Sequence, residues 1–208
     1  MDSNRYHKIA LRQFCGKHGY TLSDDELINK IYGRTNKEWI ANLFGKELSP
    51  IELKNFGEEK ESMFREIYKN DIVALAGLEK FLKRLKTENL PIAIGTSAPR
   101  SNVDFVLQKT GLGPYFSVIL DESHVSKGKP NPEIYLKVAG ALHIAPDHCV
   151  VFEDSLSGIE AAQKANCRVV GIATTHSLGE LSHTDFACAD FEGLDPASLF
   201  AEVFKVRT

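Results

Sequence analysis

Short apolar runs alternate with segments of helical spacing along the sequence from Gly77 onward. Runs that carry almost no charge suit strands buried on both faces, as in a parallel sheet. Strands separated by helices form parallel sheets with right-handed crossovers. The pattern therefore predicts an α/β fold with a three-layer α/β/α core. The predicted order is helix 78–88, strand 91–96, helix 101–110, strand 117–120, helix 131–142, strand 149–153, helix 157–165 and strand 168–173, then a short edge strand and a final helix between Phe186 and Phe204.

The first 75 residues show only helical patterns. Glycines end two of the runs, and the segment Ser23-Asp24-Asp25-Glu26 is a capping box that opens another. Four helices with short connections favour a compact bundle. We therefore predict a helical domain over 1–75 and an α/β core domain over 76–208. The predicted helices run from Ser3 to His18, from Ser23 to Tyr32, from Lys37 to Phe44 and from Ser49 toward Asn70.

Composition excludes several classes of function. The chain has 208 residues, of which 43% are hydrophobic and 25% charged, and a net charge of −3. These values are ordinary for a soluble globular protein and show no basic footprint for nucleic acid. No apolar run reaches the length of a membrane span. The four cysteines show no C-x-x-C spacing, so we expect free, buried thiols and a reducing cytoplasmic location. They are Cys15, Cys149, Cys167 and Cys188.

Two adjacent acids, Glu153 and Asp154, follow the apolar run that begins at Val150. Acids at the carboxyl end of a strand point into the crevice where open α/β sheets bind ligands. A hard cation such as Mg²⁺ is the natural ligand there. The alternative is an acidic helix N-terminus, where carboxylates are favourable for capping and dipole reasons alone.

Phosphate-binding groups follow in two further segments. Thr96 and Ser97 end the apolar run 91–96, and Lys129 precedes a helix start marked by prolines. A hydroxyl and the free amides of a helix N-terminus can hold a phosphate, and a lysine adds a point charge. Taken singly, Thr96 could form a strand-end turn and Lys129 could be a solvated lysine. In this order, with the two acids, they predict a site for phosphate and magnesium.

At these residues the chain resembles the haloacid dehalogenase superfamily, in the branch of phosphatases and β-phosphoglucomutase-like enzymes with a small helical cap. Thr96 matches the family's second motif, Lys129 its third, and Glu153-Asp154 its fourth. The resemblance implies a Rossmann-like core with an N-terminal helical-bundle cap. It also implies magnesium-dependent transfer of a phosphoryl group from a small phosphorylated metabolite to an aspartate. The pair Glu153-Asp154 argues against the family's dehalogenases, which need no magnesium.

The family's first motif reads roughly Phe-Asp-x-Asp-Gly-x-x-x-Asp-Ser, and only Asp2-Ser3 matches it here. The two acids that act as nucleophile and as general acid/base would precede Met1. We therefore expect an N-terminally truncated chain, inactive as it stands. In the family, the strand that carries the nucleophile lies between those that here are 91–96 and 149–153. A truncated chain should leave a gap between them, whereas a natural silent relative should pair them directly.

The resemblance assigns roles to the remaining residues. Glu153 and Asp154 would hold Mg²⁺, Thr96 and the Ser97 amide would bind phosphate oxygens, and Lys129 would neutralise the nucleophile and the transferring group. In the cap, His7 lies at the hinge, while Arg34 and Asn36 belong to the loop that approaches substrate. Alternatively, His7 is an exposed histidine at a helix start, and Arg34 is an ordinary surface arginine.

Two departures bear on the reaction type. The β-phosphoglucomutases carry an arginine where this chain has Asn36, and a Ser-Lys pair where it has Ala98-Pro99. Both departures favour a phosphatase over a mutase. The expected substrate is a sugar phosphate or a phosphoglycolate-like compound, handled by a monomer or weak dimer. A β-phosphoglucomutase-type isomerase and a catalytically silent phosphate-binding relative remain the alternatives.

Overall fold

The computed structural model of the protein describes residues 3–23, 25–27 and 36–205. Two compact units divide the chain, one ending at Ile72 and one beginning at Val73. The first unit is helical. It contains helices α1 (Asn4–Lys17), α2 (Asn36–Phe44) and α3 (Pro50–Tyr68), and a helical turn at 25–27. The predicted helix from Ser23 to Tyr32 lies partly outside the described residues.

Capping boxes precede α3 and the helical turn at 25–27, at two of the helix starts that the sequence predicts. The Ser49 amide donates to Glu52 Oε2 at 2.8 Å, and the Glu52 amide donates to the Ser49 hydroxyl at 3.3 Å. Ser23 and Glu26 form the same reciprocal pair. The apolar faces of the helices then share one core. Its buried members are Leu11, Phe14, Cys15, Leu27, Trp39, Ile40, Leu43 and Leu48.

The second unit alternates helices and strands, as predicted. Its helices are α4 (Leu78–Thr87), α5 (Arg100–Thr110), α6 (Glu133–Leu142), α7 (Leu156–Lys164) and α8 (Pro196–Val203). Its strands are β1 (Ala93–Gly95), β2 (Val118–Leu120), β3 (Val150–Glu153), β4 (Arg168–Ile172) and β5 (Phe186–Cys188). Short 3₁₀ turns lie at Gly113–Tyr115, Glu122–His124 and Pro146–His148.

All strand pairs are parallel, and helices cover both faces. Successive residues of a strand point to opposite faces. In β4, Val169 packs into a core formed with α6 and α7, and Val170 packs into a core formed with α4 and α8. Both side chains are fully buried. The predicted three-layer α/β/α arrangement is confirmed.

The strands form two sheets rather than one. One sheet has the order β1-β2 and the other β3-β4-β5. No described strand pairs with the second edge of β1 or of β3. A cavity of about 560 Å³ is lined by residues of both strands. Among the described strands, β1 and β3 therefore do not form the direct pairing that is expected of a natural silent relative.

The cavity also explains a departure in burial. The sequence predicts strands buried on both faces, but among the described strands only β4 is largely buried, while β1 and β3 are half-buried throughout. Residues that line a cavity lose the neighbours on one side. The ladder of β1 is also shorter than the predicted run 91–96, because only one of its edges is paired.

Two turns contain a residue in the left-handed conformation. Asn166, after α7, has φ of 64°, a conformation that asparagine adopts at helix ends. Gly77 has φ of 73°, and a Cβ there would lie 2.4 Å from the Phe191 backbone, so no other residue fits. Among the described helices, none is both long and apolar enough to cross a membrane.

Candidate active site

A buried ion pair joins Lys129 to Glu153 at the carboxyl end of β3. The Lys129 Nζ donates to Glu153 Oε1, and the two side chains are only 12% and 9% exposed. The ammonium group also lies 4.9 Å from the centre of the Tyr135 ring, a cation–π distance. Because buried charges are unfavourable unless they are paired, the carboxylate holds the lysine at this edge of the sheet.

The Glu153 carboxylate lies at the N-terminus of α7. Its Oε2 accepts from the Asp154 amide at 3.0 Å and from the Ser155 amide and hydroxyl at 3.1 and 3.0 Å. Its Oε1 also accepts from the Tyr135 hydroxyl at 2.8 Å. With Lys129, five donors converge on a carboxylate that has about four lone-pair sites. In this arrangement Glu153 bonds the two residues that precede α7 and pairs with a lysine, and its oxygens are already occupied.

A glycine makes room for this carboxylate. A Cβ added at Gly158 would lie 2.1 Å from the Glu153 carboxyl carbon, far inside van der Waals contact. The Gly158 amide also donates to the Ser155 hydroxyl at 3.1 Å, which closes the first turn of α7. The absent side chain at 158 is therefore a requirement of the ion pair.

The charges around Glu153 shift two pKa values in opposite directions. Burial alone would raise the pKa of Glu153, but the charge and hydrogen bond of Lys129, with bonds from Ser155 and Tyr135, hold it below its ordinary value. Burial, and then the neighbouring Glu153 charge, raise the pKa of Tyr135. Glu153 is therefore anionic and Tyr135 is a neutral hydrogen-bond donor at physiological pH.

Asp154 is held by two threonines that follow β4. The Thr174 hydroxyl donates to Asp154 Oδ2 at 2.7 Å, and the Thr175 hydroxyl donates to the Asp154 carbonyl oxygen, also at 2.7 Å. The second carboxylate oxygen, Oδ1, accepts no bond from any described residue. Of the two adjacent acids, Asp154 is the one that presents an open oxygen.

An open carboxylate oxygen fits part of a magnesium site. Mg²⁺ takes hard oxygen ligands, keeps several waters, and is commonly bound by one or two carboxylates together with phosphate. Asp154 meets this requirement as one ligand. Across residues 3–23, 25–27 and 36–205, no group of three or more His, Cys, Asp and Glu is placed to hold a metal. The described residues therefore supply one fitting ligand rather than a complete cage.

Thr96 directly follows β1, whose last residue lines the same cavity as Glu153. Its hydroxyl accepts from the Ala98 amide at 3.1 Å, and its amide donates to the Leu120 carbonyl oxygen at 3.0 Å. Ser97 is exposed. The strand-end turn weighed for Thr96 is thus present, while no bond joins Thr96 to Lys129 within the described chain.

In the helical unit, His7 belongs to a separate polar cluster. Its ring stacks on Phe64 with centroids 3.7 Å apart, and its Nδ1 lies 3.3 Å from Lys60 Nζ. Lys60 Nζ lies 2.5 Å from Glu61 Oε1. Burial, and then the Lys60 charge, lower the pKa of His7 to about 4, against an opposing effect of Glu61. His7 is therefore a half-buried, neutral ring rather than an exposed histidine.

The predicted substrate loop is described only at its end. Asn36 is the first residue of α2, where its Oδ1 accepts from Trp39 Nε1 at 2.8 Å and its Nδ2 donates to Glu61 Oε1 at 3.4 Å. Both ends of this amide are thus engaged inside the helical unit. Arg34 lies outside the described residues.

The sequence profile of the haloacid dehalogenase-like hydrolases matches residues 1–172, well over half of the chain. The chain belongs to this family. Lys129 pairs with Glu153 beside Asp154, so the structure brings together the residues predicted for the family's third and fourth motifs. Thr96, which is predicted for the second motif, follows β1 of the other sheet.

Two relatives of this haloacid dehalogenase-like hydrolase are phosphatases by name. A phosphorylated carbohydrates phosphatase of Thermotoga maritima is 33% identical over 185 residues, covering 86% of this chain and 82% of that protein. A validoxylamine A 7'-phosphate phosphatase of Streptomyces hygroscopicus subsp. limoneus is 34% identical over 198 residues, covering 91% and 88%. Two plant relatives are longer, and the chain spans 42% of the length of each.

A solved structure supports the fold. A haloacid dehalogenase hydrolase of family IA, variant 3, from Entamoeba histolytica superposes with a TM-score of 0.84 at 30% identity, covering 98% of this chain and 94% of that one. The recognition of the family and the α/β fold class are therefore confirmed.

Three residues that bond Glu153 and Asp154 are not predicted from the sequence. Tyr135 lies on the apolar face of α6, where nothing in the sequence distinguishes it from a core tyrosine. The pair Thr174-Thr175 had a usable signal, because it follows an apolar strand just as Thr96 does. The strand before it is the parallel neighbour of β3, so its carboxyl end had to lie beside Asp154.

Proposed function

We propose that the protein belongs to the magnesium-dependent phosphoryl-transfer hydrolases that act on small phosphorylated metabolites. Its relatives are phosphatases of phosphorylated compounds, including carbohydrates. The observation that carries the proposal is the buried pair of Lys129 and Glu153 next to the open oxygen of Asp154. Together these residues offer a fixed cation and a hard oxygen ligand at the carboxyl edge of a parallel sheet, where α/β proteins bind ligands.

In this proposal Asp154 is a ligand of Mg²⁺ through Oδ1. The bound ion would offset the repulsion between an anionic nucleophile and an anionic substrate. Glu153, which the sequence predicts as a second ligand, is paired with Lys129 in this structure, and its proposed role is to position that lysine. Lys129 would then neutralise the phosphoryl group during transfer, without having to move from a solvated state.

Thr96 and the Ser97 amide are the proposed phosphate-binding groups. The Thr96 hydroxyl uses a lone pair for the Ala98 amide, so its proton is the group it can offer to a phosphate oxygen. Both residues follow β1, whose carboxyl end borders the cavity that Glu153 also lines. The distance between the two halves of the proposed site depends on what occupies that cavity.

The proposed attacking group is the family's aspartate, which would form a phosphoaspartate before hydrolysis. The sequence shows only the end of that motif, at Asp2-Ser3. A strand carrying it would be bonded on both edges if it lay between β1 and β3. A cavity of about 560 Å³ lined by both strands is consistent with that placement. Accordingly, we expect the 208 residues by themselves to have no phosphatase turnover.

The proposed substrate is a sugar phosphate or a phosphoglycolate-like compound, and the proposed location is the cytoplasm. By name, one of the relatives described above acts on phosphorylated carbohydrates and the other on validoxylamine A 7'-phosphate. A mutase is less well supported, because Asn36 stands where the β-phosphoglucomutases carry an arginine, and its amide is engaged by Trp39 and Glu61.

The test uses p-nitrophenyl phosphate with Mg²⁺. We expect no turnover by the 208-residue chain and hydrolysis by a version extended with a Phe-Asp-x-Asp-Gly segment. The matched control carries the same extension with both acids replaced by asparagine. Turnover by the short chain that survives Asp154→Asn would show that the mechanism is different.

A silent phosphate-binding relative is the second candidate. It is supported by the groups at Thr96 and Lys129, which could bind phosphate without any transfer. In that case the extended chain would bind inorganic phosphate but would not hydrolyse a phosphate ester, and the same assay separates the two functions.

A further inference from the structure

Asp154 is bonded by two consecutive threonines through two different groups. Thr174 donates to the carboxylate oxygen Oδ2, and Thr175 donates to the main-chain carbonyl oxygen, each at 2.7 Å. We propose that Thr174 and Thr175 are positioning residues that orient Asp154 as a ligand with one oxygen available to the cation. This inference rests on the proposed function, because it assigns the metal to Asp154.

The backbone explains why both hydroxyls reach the same residue. β3 and β4 are parallel neighbours with Glu153 opposite Gly171, so the loops that follow them leave the same edge of the sheet. The Thr174 amide donates to the Ile172 carbonyl oxygen at 2.8 Å, which turns the chain sharply after β4. That turn directs two successive side chains toward Asp154.

The two bonds restrict different motions. A hydroxyl bonded to Oδ2 fixes the rotation of the carboxylate about its side-chain torsions, and a charge-assisted bond of this length is stronger than a neutral one. A hydroxyl bonded to the carbonyl oxygen fixes the peptide that follows the carboxylate. Since Oδ2 accepts the Thr174 bond, Oδ1 is the oxygen that a cation would bind. Octahedral Mg²⁺ tolerates little error in ligand placement, so a fixed oxygen should bind it better than a rotating one.

A structural reading competes with this one, since the threonines could only fasten the loop after β4. The two readings differ in what a lost hydroxyl changes. A loop fastener contributes to folding stability, whereas a positioning residue also sets the affinity for the cation. Thr184 provides the matched control in the same unit, because its buried hydroxyl bonds two carbonyl oxygens, those of Leu181 and Phe186.

The experiment measures Mn²⁺ binding to the chain extended with the Phe-Asp-x-Asp-Gly segment, by the electron paramagnetic resonance signal of the free ion and with Mg²⁺ as competitor. We expect Thr174→Val to weaken binding by roughly tenfold to a hundredfold, as loss of a bond to a ligand typically does. Thr174→Ser, which keeps the donor, should restore most of the affinity. Thr175→Val should have a smaller effect, and Thr184→Val should lower the thermal midpoint while leaving the affinity unchanged.

The failures are distinguishable. If Thr174→Val binds Mn²⁺ within twofold of the wild type while Asp154→Asn does not bind, the positioning inference is overturned and the proposed metal site stands. If Asp154→Asn binds as the wild type does, the metal is not on Asp154, and the proposed site falls together with the inference. If Thr184→Val weakens binding as much as Thr174→Val, a general loss of stability explains both, and the positioning role is rejected.

Discussion

Each unit of the protein holds a buried lysine–glutamate pair, and the two pairs are built differently. In the helical unit, Lys60 and Glu61 are neighbours on α3, with His7 and Asn36 contributing side-chain contacts. In the α/β unit, Lys129 meets a Glu153 that also accepts two main-chain amides at a helix N-terminus. The second carboxylate is held by backbone that cannot rotate away, so its lysine is fixed whatever neighbouring side chains do.

The comparison teaches where a charge can act on a ligand. A pair made of side chains on one helix mainly satisfies its own buried charges, and such pairs are weak contributors to stability. A pair anchored by a helix N-terminus at the carboxyl edge of a sheet is fixed in a place where ligands bind. We therefore assign chemistry to Lys129 and a structural role to Lys60.

The largest expected effect tests whether Asp154 and Lys129 take part in the reaction. In the extended, active chain, Asp154→Asn should lower the rate by more than roughly a thousandfold, several kcal/mol of barrier, because it weakens the cation that neutralises the site. Lys129→Ala should lower the rate at saturating substrate by roughly a hundredfold. Single changes in the helical unit should have smaller effects. An unchanged rate for Lys129→Ala would make it a structural lysine like Lys60.

The next effect tests how much each lysine contributes to folding stability. Lys60→Met should destabilise the protein by about 3 kcal/mol, because it removes the ammonium group that pairs with the buried Glu61 carboxylate. Lys129→Met should cost less, about 1–2 kcal/mol, since Glu153 keeps its main-chain donors at the start of α7. Urea unfolding of both variants measures the difference. A larger loss for Lys129→Met would reverse the comparison.

Substitutions at two glycines test whether the ion pair of Lys129 and Glu153 needs the space beside Gly158. Gly158→Ala should destabilise by about 1–3 kcal/mol, because the new Cβ overlaps the Glu153 carboxylate. Gly140→Ala is the control, since a Cβ there meets nothing within 4 Å, and it should stabilise α6 by about 0.5–1 kcal/mol. Thermal midpoints moving in the same direction for both variants would contradict the assigned packing.

The smallest effect separates the two clusters by pH. The pKa of His7 is lowered to about 4 in the folded state, so the unfolded chain binds a proton first and stability falls as the pH drops from 6.5 toward 4. The pKa of Glu153 is lowered as well, so its contribution is lost only as the pH falls below 4.5. The first change should be on the order of 1 kcal/mol, because the His7 side chain is 36% exposed.

Unfolding free energies measured between pH 7.5 and 4 on the wild type and on His7→Gln check this order. The variant should lose the slope between pH 6.5 and 5 and keep the one below 4.5. A wild-type curve that is flat above pH 4.5 would show that His7 is not held neutral by its surroundings.

The sequence predicts the order of elements well, because each signal is local. Ser49 with Glu52, Gly77 and Asn166 each determine their own turn by chemistry that acts within a few residues. The alternation of strands and helices likewise predicts the parallel pairing. Whether Glu153 would face a metal ion or a lysine side chain was not predictable, because the answer depends on Lys129, which lies 24 residues away in the chain.

The site is predictable only in part for the same reason. Thr96, Lys129 and Asp154 were found because motif order carries them, and their functional roles stay predictions. Tyr135 and the two threonines after β4 were not found, because their role arises from a side chain of another element. A residue that orients a ligand has no local pattern of its own.

Two cysteines can report whether the cavity lined by β1 and β3 is filled. Cys149 and Cys167 both line it, whereas Cys15 lies in the core of the helical unit. Burial raises the pKa of Cys149, and it raises that of Cys167 to about 12, so both thiols react slowly at neutral pH. Any peptide or chain segment that fills the cavity should slow the alkylation of these two thiols further and leave the alkylation of Cys15 unchanged. The rate of thiol labelling would therefore measure how completely the space lined by β1 and β3 is filled.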